Sequence, residues 1–413
     1  MINSIQRYAL YLFLALSTLG FCLYVGFFSF FLVKINTSPI IISVLIGATA
    51  LSSLFWGPVA GRMIDRTKHK YLWLIVAQIC CGLFIFCFGN LEVFRPILMP
   101  LLVLSFSLMF NFAVIIINQY LLPMLHDDYE ESVALASRVT GLAVLISGLT
   151  LAVLYDCFPP FVFFAAAAAC YILSAATLIL VLHKNKYLAK LSQDLENSAH
   201  EKSIGVYRQT FYTIGKHWFL ALSMCVLAFT ETSFNTNFDV IAFSLGTTPY
   251  AVVFLLGALS GALDSAASWI YPRLMGNMSI RFKWYFFLAA FLLVFGVATL
   301  LSYNGWDKNA YFLPTLAVIL ELIGVWWSIF IAGRVRDTSS HGTYGQTMAA
   351  FRVPRSLVTF IGVTSIGTAL QAGKLEWILL FNTALLTLLL VTYIWSTYGK
   401  RSKITATKDY KSF

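Results

Sequence analysis

Twelve apolar runs, each long enough to cross a bilayer as a helix, follow one another along this chain, separated by short charged or turn-forming clusters. About twenty apolar residues are needed to span roughly 30 Å of hydrocarbon at 1.5 Å per residue. The runs fall at 8–33, 39–60, 71–90, 96–123, 132–155 and 160–182, then at 218–244, 249–271, 284–303, 311–332, 356–373 and 377–397. Only 11% of the 413 residues are charged, where a soluble protein carries about 25% spread over its surface. Aromatic residues make up 16% of the chain, many near run ends, where Trp and Tyr settle at membrane interfaces. The expected class is an all-α integral membrane protein with twelve transmembrane helices.

The runs divide into two sets of six. They predict an N-terminal bundle over 1–182, a hydrophilic linker over 183–216, a C-terminal bundle over 217–397 and a basic tail over 398–413. The linker holds six Lys/Arg and three Asp/Glu. With the N-terminus placed in the cytoplasm, 24 of the 28 Lys and Arg fall in cytoplasmic segments, and only Lys34, Arg95, Lys308 and Lys374 fall outside. That asymmetry is the positive-inside rule, and it predicts a multi-pass protein with both termini cytoplasmic; compact loops and short termini fit the cell inner membrane, an architecture that eukaryotic membranes also hold. The acidic loop Asp127, Asp128, Glu130 and Glu131 runs against the sign, but acidic residues weigh little in that rule. The net charge of +10 follows from topology, since no soluble basic face for nucleic acid exists here. The first run is too long for a secretory signal and lacks a small-residue cleavage site, so it reads as a retained span. Six of the seven cysteines lie inside apolar runs and none forms a C-x-x-C pair, so they read as small buried hydrophobes.

The two halves look like duplicates. The stretch "GRMIDRTKHK" at 61 aligns with "PRLMGNMSIR" at 272, pairing Arg62 with Arg273 at an offset of 211 residues. The stretch "ASRVTGL" at 136 aligns with "AFRVPRSL" at 350, pairing Arg138 with Arg352 at an offset of 214. Two matches at nearly one offset, each at the corresponding place in its half, indicate an internal repeat.

Six plus six spans, a long central loop and a charged loop between spans 2 and 3 resemble the major facilitator superfamily of secondary transporters. The family's loop has the form G-x-x-x-D-R-x-G-R-[RK]. This chain matches at Gly61, Asp65, Arg66 and Lys70, and departs at Lys68 and His69. The resemblance implies a conformational latch made of Gly61, Arg62, Asp65, Arg66 and Lys70. In it, Asp65 would sit near the cytoplasmic N-terminus of span 11 when the cavity opens outward. A carboxylate there meets the positive end of a helix dipole and unpaired N–H groups.

Nothing points to another driver or to an enzyme. No G-x-x-x-x-G-K-[ST] phosphate loop occurs, and all six histidines fall in predicted cytoplasmic loops. No nucleophile and base face each other at the membrane surface. The expectation is a monomeric carrier that needs no cofactor and works with protons and a small-molecule substrate in the lipid bilayer.

Ionisable groups inside spans are costly and mark function. Glu231 in span 7 and Glu321 in span 10 fall near the midplane, with Asp264 in the cytoplasmic half of span 8. Glu231, Asn235 and Asp239 are four apart and share a face. A carboxyl in a dry site can bind a proton near neutrality and release it on hydration or on meeting a cation. Glu231 and Glu321 are therefore the candidate proton-coupling groups, with Asp239 and Asp264 secondary. Candidate substrate contacts are Asn111, Asn118 and Gln119 in span 4, Asn235 in span 7, and Trp326 and Trp327 in span 10. Tyr24, Gln78 and Ser107 are weaker candidates. Polar side chains of this kind also serve as interhelical glue, and the G-x-x-x-G at Gly257–Gly261 reads as close helix packing.

No Lys or Arg is predicted near the midplane, so a neutral, cationic or zwitterionic amphiphile is the expected cargo. That resembles the exporter branches of the superfamily, for drugs, metabolites or siderophores, acting by proton-coupled efflux. Two features depart from the drug antiporters: span 5 has Gly141 and Gly148 but no proline, and span 4 has Asn111 where an arginine is common. Proton-coupled import of a nutrient or siderophore is the alternative, and a sensor without transport is a third reading.

Overall fold

The computed structural model describes residues 4–34, 39–67, 69–89, 95–125, 129–183, 206–234, 250–305, 312–338, 344–372 and 375–409. Asn235, Asp239 and most of the linker lie outside these residues. The described part is helical throughout. The first half consists of α1 (Ser4–Lys34), α2 (Pro39–Arg66), α3 (Lys70–Gly89), α4 (Arg95–Ile116), α5 (Tyr129–Leu154) and α6 (Pro160–His183). A short amphipathic helix follows, α7 (Val206–Lys216), and then α8 (Trp218–Phe234) and α9 (Tyr250–Met275). The chain ends with α10 (Ile280–Tyr303), α11 (Phe312–Thr338), α12 (Tyr344–Ala372) and α13 (Leu375–Asp409). Ten of the described helices are long and apolar enough to cross a membrane, and α7 turns into α8 through a 96° bend.

Local chemistry sets the helix ends. Pro39 and Pro160 open α2 and α6, where a missing N–H costs nothing and φ is already helical. Glu130 and Glu131 occupy the first turn of α5, next to its positive end. The acidic "loop" of the sequence is thus, from residue 129 on, the start of a helix. Ser279 caps α10, its hydroxyl accepting from the Phe282 N–H at 3.3 Å.

Helix packing repeats between the halves. In the first half α1 packs on α5 and α6, α3 on α4 and α6, and α2 on α4. In the second, α8 packs on α12 and α13, α10 on α11 and α13, and α9 on α11. These are the same five pairs after α1–α6 are matched to α8–α13. The halves meet chiefly through two seams, α5 on α9 and α2 on α12, which that matching exchanges. A two-fold arrangement of duplicated halves has this pattern.

Lipid is as apolar as leucine, so the seams depend on close contact rather than on hydrophobic burial. Along α5–α9 the backbones touch at glycine. A Cβ built on Gly141 would lie 2.5 Å from the Gly261 carbonyl oxygen, and one on Gly148 would lie 2.7 Å from the Ala258 nitrogen. Only one glycine of the G-x-x-x-G serves this contact, because a Cβ on Gly257 would meet nothing. Where α5 ends and α9 begins the seam closes with rings, Tyr155 on Tyr250 at 6.3 Å and Phe30 on Tyr250 at 4.9 Å.

Candidate functional site

Two cavities open on one face of α12. The larger, about 430 Å³, lies among α1, α2, α4 and α12. Its walls include Tyr24, Ser29, Thr49, Ser53, Ser107 and Asn111, together with Arg352, Arg355, Ser356 and Thr359 of α12. The smaller, about 160 Å³, lies among α4, α8, α11 and α12, between Asn118, Met224, Trp327, Ser328 and Met348. Arg352 and Arg355 line both.

These arginines correct the sequence reading. Span 11 was expected to begin at 356, with Arg352 and Arg355 in a cytoplasmic loop, but α12 begins at Tyr344. At 1.5 Å per residue, Arg352 and Arg355 lie about 12 and 16 Å up the helix. Residues 352, 355, 356 and 359 share one face at i, i+3, i+4 and i+7, and that face opens on the larger cavity. Hydropathy misses it because a helix with one polar face averages like a loop, and α12 is not among the helices apolar enough to count as spans. The one sequence signal was the repeat, which pairs Arg352 with Arg138. Arg138 sits on the equivalent helix, α5, and reaches the Ser268 carbonyl of α9 at 3.5 Å.

A polar chain orients Arg352. The Ser107 hydroxyl donates to the Thr49 carbonyl at 2.7 Å and lies 2.6 Å from the Ser52 hydroxyl. Asn111 Nδ2 donates to the Ser107 carbonyl at 2.8 Å. Its Oδ1 is thereby turned toward α12, where it accepts from Arg352 Nη1 at 3.4 Å. The chain runs α2 to α4 to α12 and so crosses from one half to the other. Around it stand aromatic rings, Phe21 stacked on Phe110 at 4.4 Å and Tyr24 against Phe106 at 4.7 Å.

The remaining candidates divide. Asn118 lines the smaller cavity and sits, with Gln119, in a π-helical turn at Ile117–Leu121, a distortion that frequently marks functional positions. Trp327 lines the same cavity and packs on Trp284 at 5.1 Å. Trp326 faces α9 and donates from Nε1 to the Ala267 carbonyl at 2.7 Å. Gln78 is buried, accepting from Ser17 at 3.1 Å and Ser174 at 3.0 Å, so it ties α3 to α1 and α6. Asp264 is buried in the α5–α9 seam, its Cβ 3.1 Å from where a Gly141 side chain would start. Glu321 is half-buried on α11. It shares a face with Gly324, where a Cβ would meet open space, and with Ser328 of the smaller cavity. The register of α8 puts position 231 on the face that carries Met224, Leu227 and Ala228, all three lining that cavity.

At the end of the bundle where α5 begins, a charge cluster joins the halves. Glu130 Oε2 accepts from Lys283 Nζ at 3.1 Å and from the Tyr271 hydroxyl at 3.2 Å. Its Oε1 lies 3.7 Å from Arg334, which pairs with Asp337 at 2.7 Å. The Arg336 guanidinium lies 4.4 Å from the Tyr129 ring. The cluster ties the start of α5 to α9, α10 and α11. Sequence reasoning missed it, having set Glu130 aside as a loop residue of the wrong sign. At the seam expected to carry the latch, Gly61 and Lys70 are buried, Arg62 and Asp65 half-buried and Arg66 exposed. Asp65 lies near the C-terminal end of α2, the helix that packs along α12.

Neither a known family profile nor a curated protein sequence matches the chain. Solved structures do. A bacterial homologue of the iron transporter ferroportin, in an outward-facing state, superposes with a TM-score of 0.73 at 16% identity, over 96% of this chain and 100% of that one. The nucleoside transporter NupG follows at 0.68 and 14% identity, covering 94% and 99%. The human organic anion transporter MFSD10 gives 0.66 and 13%, covering 95% and 100%. Likeness at such low identity reports architecture, and the architecture of this multi-pass membrane chain is the major facilitator superfamily fold.

Proposed function

We propose that the chain is a secondary active transporter of the inner membrane that moves a small amphipathic organic solute outward by alternating access, in exchange for protons. The observation that carries this reading is the pair of cavities along one face of α12, set between two halves that touch chiefly through two seams. Rocking of one half on the other would open those cavities to each side in turn. The Glu130 cluster and the Gly61–Lys70 loop serve as cytoplasmic fastenings, one on each seam. Asn111, Asn118 and Trp327 contact the solute, with Gln119 and Asn235 as further contacts, whereas Trp326 is turned to the α9 backbone. Glu321 on α11 and Glu231 on α8 carry the proton, and Asp264 and Asp239 assist. The structural neighbours are named for iron, nucleosides and organic anions, so cargo has to be read from the cavity itself.

Untargeted comparison of metabolites inside and outside cells, with and without the protein, tests the reading. The expected result is a solute depleted inside and enriched outside, with the difference abolished by a protonophore. Enrichment inside would establish the importer alternative, and no difference for any solute would end the transport reading. Glu321→Gln and Glu231→Gln should each lower proton-driven flux and flatten its pH dependence, since an amide in place of the carboxyl neither binds nor releases a proton at working pH. Unaltered pH dependence in both variants would remove the carboxylates from the mechanism.

A further inference from the structure

We infer that α7 is a lipid-binding element that lies along the membrane surface. Phe211, Tyr212 and Trp218 sit at the acyl boundary, and Arg208 and Lys216 hold the headgroups of anionic phospholipids. The inference goes beyond the transport reading and does not depend on it.

Helix α7 has 11 residues, about 16 Å of helix and too short to cross a bilayer. It meets α8 at 96°, and α8 opens the apolar run 218–244. A helix at right angles to a spanning helix lies in the plane of the membrane, which is the posture of an interfacial helix.

Its two faces differ. Thr210 is buried, and Ile214, one turn on, packs against the core. This face seats α7 on α12 and α2. At the bend, the His217 ring meets that of Phe351 on α12 at 6.4 Å. The opposite face carries Arg208, Phe211, Tyr212 and Gly215 at i, i+3, i+4 and i+7, and all four are exposed. Phe211 is 66% exposed and Tyr212 69%. Lys216 borders them, and exposed Trp218 begins α8. Rings of this size left in water cost free energy, whereas Tyr and Trp settle where an apolar body meets lipid and a polar tip meets water.

Charge selects the headgroup. The helix holds Arg208 and Lys216 and no Asp or Glu. Among the described residues neither basic side chain enters an ion pair. Long basic side chains keep their stems along apolar surface and their charges at the headgroups, and they favour an anionic leaflet. Charge also selects lipid over protein copies as the occupant. A second chain docked by this face would set the same cations against each other, and the basic tail of this chain has the same sign. Because α7 rests on both α2 and α12, a headgroup held there is fixed at the end of one of the two seams.

Lipid-resolved quenching of the full chain in vesicles tests the assignment. Tyr212→Cys, in a chain whose seven native cysteines are replaced, carries a bimane label on the open face of α7. Brominated phosphatidylglycerol and brominated phosphatidylcholine are compared at equal mole fraction in phosphatidylcholine vesicles. Both are expected to quench, the phosphatidylglycerol at least about twofold more, since each basic side chain favours an anionic leaflet. Arg208→Gln/Lys216→Gln should abolish that preference and keep the quenching by phosphatidylcholine. No quenching by either lipid would place the face in water or against protein and overturn the assignment. Equal quenching by the two lipids, or a preference that survives the double substitution, would overturn it as well. Should the double variant fail to fold, the two-lipid comparison on the labelled parent decides alone. Solute flux enters none of these measurements, so the lipid site and the transport reading stand or fall separately.

Discussion

Glu130 makes three contacts to the second half from one carboxylate, to Lys283, Tyr271 and Arg334. Lys283 is only 6% exposed and Glu130 18%, so removing the negative charge leaves a buried ammonium without its partner. Glu130→Gln is expected to lower stability by about 2–3 kcal/mol, somewhat below the 3–5 kcal/mol of a fully buried pair because Glu130 keeps some solvent. Thermal unfolding in detergent measures it, and a Tm within a degree of the parent would show the cluster to be incidental. Legibility at this scale followed polarity against background. Asn111 and Asn118 were visible because an amide inside an apolar run is anomalous, and both line cavities. Arg352, Arg355 and Glu130 were hidden because each sits close to a run end, where a charge looks like topology.

The α5–α9 seam shows what a helix contributes beyond its side chains. Gly141 and Gly261 bring two backbones into direct contact, with the Gly141 Cβ position 2.6 Å from the Ser265 nitrogen as well. Backbone atoms cannot swing aside, so Gly141→Ala must push the helices apart, at about 1–3 kcal/mol. Gly257→Ala, four residues from Gly261 on the same helix, meets open space and should stabilise by up to about 1 kcal/mol through helix propensity. Unfolding measurements that found the two substitutions equivalent would contradict this packing. The spacing G-x-x-x-G was legible from sequence, but which of its glycines touches a partner was not. Helix α12 is the converse case. Its polar face made it look like a loop up to residue 355, and the same polarity is what equips it to line two cavities.

For the molecule as a whole, the five helix pairs repeated in each half and the two exchanged seams predict movement of one half against the other. The proposed alternating-access cycle requires α5 and α9 to part at the end of their seam where Tyr155 and Tyr250 meet. With the seven native cysteines removed, Tyr155→Cys/Tyr250→Cys is expected to lose nearly all flux on oxidation and regain it with reductant. Full flux in the cross-linked protein would mean that this seam never opens. The sequence alone determined the membrane class, the number and approximate limits of most spans, and a repeat in two halves. Each of these depends on summed hydropathy, charge counts or register along one chain, quantities that need no neighbour to be defined. Tertiary structure decided that Arg352 and Arg355 face two cavities, that Glu130 fastens the halves, and that Gln78 and Trp326 bind other helices. In a medium as apolar as the side chains themselves, hydropathy cannot tell a lipid-facing side from a partner-facing one, so those placements came only from the packing of helices distant in sequence.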